Sequence, residues 1–381
     1  MRKSVRAAGV LFTVCLLAAS FAPQARASEL FYIGTQGSGP GNGVFGARLD
    51  ETTGRLSPLG LMAQIDRPTW LLVNPHLPVI YSVSEVGNDG KSQASVYSFA
   101  VDPESGALKP INHVQSGGGG ATHLALDAAA QSLFVANFGT GQLSLLPIGP
   151  DGGLLPAASV QTEHGTGPHP RQAAPHAHGV AVSPDGRFVL EANFGADRVF
   201  IYRLDGAKRT LTPAPDATVI FPPGSGPRHI LFHPNGRLVF VNAELAGGLN
   251  VYRWDQGKGR MDLVQTLTTD SSKDPGQRSS AEMALSRDGS HLYVSNRGDN
   301  TLAVYAVNAR TGALTAIQRI ADPGQIPWSF AIDPSGRWII VANQASNAVA
   351  VLKIDPASGS LSPTGQTLPV PIPVQITFFP R

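Results

Sequence analysis

Between Gly179 and Leu352 one pattern is written four times: GVAVSPDGRFVLEANFGADRVFIY (179–202), HILFHPNGRLVFVNAELAGGLNVY (229–252), EMALSRDGSHLYVSNRGDNTLAVY (282–305) and SFAIDPSGRWIIVANQASNAVAVL (329–352). Each copy holds an alternating apolar run, a turn built on Pro-x-Gly or its equivalent, and a second apolar run ending near Asn. A short turn and a third run follow. The turn glycines Gly186, Gly236, Gly289 and Gly336 are 50, 53 and 47 residues apart. The copies continue into a fourth run after a Gly-x-Leu turn, as at Thr311-Gly312-Ala313-Leu314 and Ser358-Gly359-Ser360-Leu361. Four short strands in that length make one propeller blade.

Two weaker copies precede these, one from Trp70 through Asn74-Pro75 to Phe99 and one from His123 to Ile148. The chain ends supply a seventh blade. PVQITFFP near the C-terminus matches a lone first strand, while LFYIGTQ and VFGARLD near the N-terminus match second and third strands. The expected fold is therefore all-β, a seven-bladed β-propeller whose ring is closed by N- and C-terminal strands sharing one blade, with no edge left open. Residues 28–381 read as one domain, because no composition shift, charged tract or long linker interrupts them. The least regular stretch, Glu163 to Pro175, falls between the third and fourth blades and is long enough to be a functional loop.

Residues 1–27 read as an export signal. Arg2, Lys3 and Arg6 precede an apolar run from Ala7 to Ala22, and Ala25-Arg26-Ala27 fits an A-x-A cleavage site, so the mature chain is expected to start at Ser28 in a periplasmic or secreted protein. The run is shorter than a membrane-spanning helix. Val14 stands before Cys15 where a lipoprotein signal has a small residue. Cys15 is the one cysteine of the chain, so the exported part is expected to have neither disulfide nor thiolate. Taking the four basic residues of the signal from the chain's 29 leaves 25 against 27 acidic residues. Such a balance gives no electrostatic footprint for nucleic acid or an anionic membrane. With 42 Gly and 31 Pro in 381 residues, the composition suits many short strands and turns better than helices.

Blade equivalence locates a site. Six residues before each turn proline, or its equivalent, stand Thr69, Thr122, His178, Arg228, Ala281, Trp328 and, in the closing strand, Val374. Ten residues after it stand Glu85, Phe138, Phe194, Glu244, Arg297 and Gln344, with Gln36 as the N-terminal counterpart. Adjacent strands in a blade are antiparallel, so the start of the first and the end of the second share one face of the ring. His178, Arg228, Glu244 and Arg297 are thus expected at one mouth of the channel, on blades four to six. A carboxylate or imidazole to activate water and guanidinium groups to stabilise an oxyanion are the parts needed to open an ester. An ion-paired channel wall is the alternative for the same four residues.

The stretches PHAHGVAVSPDG, GPRHILFHPNGRLVFVNAEL, SAEMALSRDGSHLYVSNRG and PWSFAIDPSGRWIIVANQ resemble the seven-bladed lactonase family, which includes propeller-type 6-phosphogluconolactonases and fungal carboxymuconate cyclases. The resemblance implies a site of one His, two Arg and one Glu, matched here by His178, Arg228, Glu244 and Arg297. It implies a cofactor-independent lactonase opening a sugar-type lactone, with Glu244 or His178 as base and Arg228 and Arg297 on the oxyanion. The export segment sets this chain apart from cytosolic members that act on a phosphorylated sugar. His176, His229, Glu282, Asn296 and Gln344 stand next to the quartet or on the same ring and are read as substrate-binding or supporting positions.

Other patterns carry less. His176 and His178 are two apart, as metal ligands on one strand face can be, but no third ligand is identified, and no metal or cofactor is expected. His164, His169 and Arg171 in the irregular loop are expected to be solvated, with contact to an anionic substrate as the alternative. Gly41-Asn42-Gly43-Val44-Phe45-Gly46 matches G-x-G-x-x-G but joins two strands, which makes it a hairpin and not a dinucleotide site. No G-x-S-x-G is present. The competing functions are a non-catalytic exported binding or scaffold module, and the cyclase direction of the same chemistry with the Arg pair holding a dicarboxylate.

Overall fold

A computed structural model describes residues 28–380 together with Ser4; the expected export signal and its cleavage site lie outside the described residues. Seven sheets follow one another around a ring. The first holds Pro373–Phe379, Ser28–Thr35, Val44–Asp50 and Leu56–Ala63, in that order. Ile376 faces Ile33 and Phe378 faces Phe31 across an antiparallel ladder, so the two chain ends lie side by side in blade one. Blades two to seven each start with their own innermost strand, at Leu71, Ala121, Ala177, Pro227, Ser280 and Pro327. Blade four carries a fifth short strand, Val219–Ile220, paired to Arg198–Asp205. Among the described residues no helix is long and apolar enough to cross a membrane.

The repeated turn has a local cause. In blade four the Gly186 N–H donates to Ser183 O at 2.8 Å, and the same bond recurs at Gly236, Gly289 and Gly336. All four glycines have φ between 68° and 75°, a conformation that costs a residue with a Cβ. The second strand of each blade is covered on both faces by its neighbours, so Phe188–Asn193, Leu238–Ala243 and Trp338–Asn343 are buried throughout. They read as continuous apolar runs for that reason. The fourth strands, such as Arg260–Thr268, are mostly exposed. Among the described residues the core divides into seven clusters, one at each blade interface. Phe188, Leu190, Val239 and Trp254 join blades four and five, and Phe31, Ile33, Ile340 and Val351 join blades seven and one. Burying each such side chain stabilises by about 1.5–3 kcal/mol.

The innermost strands of blade one and of blades three to seven share an irregularity that positions the site. In blade four Ala177 pairs with Asn193 and Gly179 with Ala192, leaving His178 as an extra residue with no ladder partner. The same one-residue excess falls at Thr122, Arg228-His229, Ala281-Glu282, Trp328 and Val374. A bulge turns a side chain out of the strict two-residue alternation of a strand. Gly179 lets the innermost strands of blades four and five meet closely there. A Cβ on it would lie 2.3 Å from Arg228 O.

Candidate active site

The mouth of the channel opens into a cavity of about 200 Å³. His178, Arg228, Glu244 and Arg297 all line it, at the positions that blade equivalence assigns. The Glu244 and Arg297 backbones are fixed at the strand ends, where their N–H groups donate to Gly226 O at 2.7 Å and Ser279 O at 2.8 Å. Glu244 is 1% exposed and sits at the centre. Its Oε2 is 2.8 Å from Arg297 Nη2, 3.2 Å from Arg228 Nε and 3.9 Å from His178 Nε2. Arg228 Nη1 also donates to Ala281 O. Arg297 lies with its guanidinium carbon 4.2 Å from the Trp328 ring centre, and its Nε donates to Ser279 Oγ at 3.1 Å.

Burial alone would raise the Glu244 carboxyl. Arg297, Arg171 and Arg228 outweigh it and hold the group far below the ordinary carboxylate range. Burial, aided by the neighbouring Arg297, brings Arg228 down to about 10, which leaves it charged at neutral pH. Burial and the charges of Arg228 push His178 well below the ordinary histidine value, so its ring is neutral. The His178 Nδ1 is buried with no hydrogen-bond partner among the described residues.

His164 and Arg171 are exposed, as expected of a solvated loop, but Arg171 also reaches into the site. The stretch 163–175 carries a 3-10 turn, Pro170–Gln172, capped by His169, whose Nδ1 accepts from Arg171 N. Gln172 is buried and anchors the turn, donating to Phe194 O at 2.8 Å and Asp197 Oδ1 at 2.7 Å. Arg171 therefore stands fixed at its base, stacked 4.6 Å from the Phe194 ring centre, with Nη1 at 2.6 Å from Glu244 Oε1. Its charge pattern in the sequence carried no sign of this, because the partner lies 73 positions away.

The supporting positions divide. His229 and Glu282 line the cavity as a pair, His229 Nδ1 being 3.1 Å from Glu282 Oε1. Glu282 Oε2 also accepts from Ser329 Oγ at 3.1 Å, and burial raises its carboxyl above the ordinary range. His176, Asn296 and Gln344 do not reach the cavity. The His176 ring stacks on Phe138 and its Nδ1 meets Phe138 O at 2.6 Å, so it supports a lining residue from behind. That geometry also separates it from His178 as a ligand pair. Asn296 turns away, donating to Thr269 O at 2.9 Å and Thr301 Oγ1 at 3.2 Å. Gln344 reaches only to Gln36, which does line the cavity. Arg67, Trp70, Asn88 and Ser329 line it as well and stand outside the ring positions. Among the described residues no group of three His, Cys, Asp or Glu side chains is arranged to hold a metal ion.

A seven-bladed propeller with guanidinium groups gathered on one buried carboxylate at the channel mouth is the class that this geometry defines. Residues 30–378 match the family model for the lactonase, 7-bladed beta-propeller. The chain belongs to that family. It is 30% identical over 350 residues to a 6-phosphogluconolactonase of Bacillus subtilis, covering 91% of this chain and 97% of the relative. Among solved structures it is similar to the periplasmic gluconolactonase of Pseudomonas aeruginosa, with TM-score 0.87 and 35% identity over 92% of this chain and 99% of the other. A putative 6-phosphogluconolactonase of Bacteroides fragilis superposes with TM-score 0.85 and 32% identity, over 94% of this chain and all of the other.

Proposed function

We propose that the protein hydrolyses a sugar-type lactone to its hydroxy acid, with His178, Arg228, Glu244 and Arg297 acting together. The observation that carries this reading is the single buried Glu244 carboxylate met by Arg171, Arg228 and Arg297. The cluster has a surplus of positive charge, which suits an oxyanion and then a product carboxylate.

His178 is the base that this arrangement favours. Both Glu244 oxygens are occupied by guanidinium groups, so Glu244 is a poor proton acceptor and a good counter-ion. As water attacks the carbonyl carbon, its proton passes to His178, and the new imidazolium lies 3.9 Å from Glu244 Oε2. The carbonyl oxygen takes up the negative charge between Arg228 and Arg297. The ring C–O bond then breaks and the leaving alkoxide takes the proton back from His178. The released acid ionises against the arginines. The relatives' names divide between a phosphorylated and an unphosphorylated gluconolactone, and the export signal favours the second for this chain. The same reading takes blade one, formed from both chain ends, as the clasp that closes the ring.

The test is hydrolysis of glucono-δ-lactone by purified protein, followed by pH-stat with spontaneous opening subtracted. Turnover in the wild type and its loss in His178→Ala is expected; a folded His178→Ala with full activity removes His178 as base. Export is checked by mass spectrometry of protein from an extracytoplasmic fraction, with Ser28 expected at the N-terminus and an intact Met1 counting against it.

A further inference from the structure

The wall opposite the arginine cluster is built almost wholly by blade two and its approach: Arg67, Thr69, Trp70, Glu85 and Asn88. Its charges cancel internally. Arg67 Nε donates to Glu85 O at 2.8 Å and Nη2 is 3.7 Å from Glu85 Oε1, which also accepts from Asn88 Nδ2 at 2.8 Å. Arg67 holds φ at 50°, in the left-handed region that the equivalent positions of most blades share at Gly120, Gly226, Ile326 and Ile372, so its place in the wall is fixed by the blade repeat.

Two further groups on this wall lack partners. Thr69 is 6% exposed and its Oγ1 has no hydrogen-bond partner among the described residues; the same is true of the buried Trp70 Nε1. A buried hydroxyl or indole N–H left unpaired costs about 1–3 kcal/mol, and two on consecutive residues that line one cavity point to a ligand that pairs with them. Trp70 is held in place by stacking at 4.0 Å from the His123 ring centre and by the edge of His229 at 5.2 Å. Hydroxyl and indole donors, an amide and a neutralised acid–base pair are the partners that sugar hydroxyls use. A phosphate dianion would meet the Glu85 carboxyl instead, beside an arginine already committed to it.

We propose that blade two forms a polyol subsite, with Thr69, Trp70, Glu85 and Asn88 binding the hydroxyl-bearing tail of an unphosphorylated aldonolactone whose carbonyl lies at the arginine cluster. The proposal rests on the lactonase reading for the carbonyl end, while the subsite itself is tested without turnover. Isothermal calorimetry with D-glucitol, a polyol with no carbonyl, is expected to give binding that Thr69→Val and Asn88→Ala each weaken about fivefold to tenfold, the effect of one hydrogen bond. In hydrolysis, Thr69→Val should lower the preference for glucono-δ-lactone over hydroxyl-free δ-valerolactone by a similar factor, and the wild type should open glucono-δ-lactone at least about tenfold more efficiently than its 6-phosphate. Glucitol binding unchanged in both variants overturns the subsite. So does equal loss of both lactones in Thr69→Val, the mark of a merely structural residue, or a wild-type preference for the 6-phosphate. Loss of glucitol binding in the variants of a protein that opens no lactone supports the subsite and sinks the lactonase reading alone.

Discussion

Glu244 and Glu191 are carboxyl groups in neighbouring blades, 1% and 0% exposed, and they differ in almost everything else. Glu244 is surrounded by Arg171, Arg228 and Arg297 and is held ionised. Glu191 meets Asn193 Nδ2 at 2.9 Å and the Tyr202 hydroxyl at 3.0 Å, and Tyr202 in turn touches Glu163. Burial, with the second carboxyl nearby, pushes Glu191 up to about 8. One phenol proton cannot serve two carboxylates. A neutral Glu191 resolves this by donating to Tyr202, which donates to Glu163. Depth of burial is thus the same in both places, and the partners alone decide which group keeps its charge.

The largest effect that would sharpen the contrast is on stability. Glu244→Gln leaves buried guanidinium groups without a counter-ion and is expected to cost about 3–5 kcal/mol, whereas Glu191→Gln replaces a neutral acid by a neutral amide that does not ionise when the chain unfolds, so at pH 7 it is expected to cost nothing or to stabilise. Urea unfolding of the two variants at pH 7 checks this, and equal losses would break the comparison.

Next in size is catalysis. Arg228→Ala or Arg297→Ala removes an oxyanion partner and is expected to lower turnover of a hydrolysed lactone by about two to three powers of ten. Full turnover in either folded variant would mean that the cluster is an ion-paired wall and nothing more.

A smaller effect is read from pH. Since His178 is held below the ordinary histidine range, the neutral base persists at mildly acidic pH, and kcat/KM should stay level down through pH 6.5 before it falls. An acid limb at or above 6.5 would show that the ring is not held down by burial and the neighbouring arginine.

The last effect belongs to Glu191. The unfolded chain releases this proton near 4.5 and the folded one near 8, so the stability it contributes is full below 4.5 and is lost as pH rises through 8. Glu191→Gln should flatten that part of the stability curve, followed as urea midpoints between pH 5 and 9.

The blade repeat was legible because each turn glycine must adopt a positive φ and each second strand is apolar on both faces. Both demands leave marks in the sequence at fixed intervals. The quartet was legible for the same reason, since equivalent positions in successive blades meet at one mouth. Symmetry gave no help outside those positions. Arg171 reaches Glu244 from an irregular loop whose placement depends on Gln172 and Asp197, and Trp70 and Ser329 line the cavity although each directly follows a ring position. Strict alternation would have turned one residue of each such pair away. Asn296 shows the opposite failure, because a position next to the site turned away to donate to Thr269 O and Thr301 Oγ1.

The bulge in six innermost strands bears on how such a protein can change over generations. A residue standing outside the ladder can be exchanged without altering a cross-strand pair or shifting register. The residues so placed are Thr122, His178, Arg228-His229, Ala281-Glu282, Trp328 and Val374. Selection can therefore rewrite the channel mouth one blade at a time while the ring beneath it stays the same, and a new substrate costs the scaffold little.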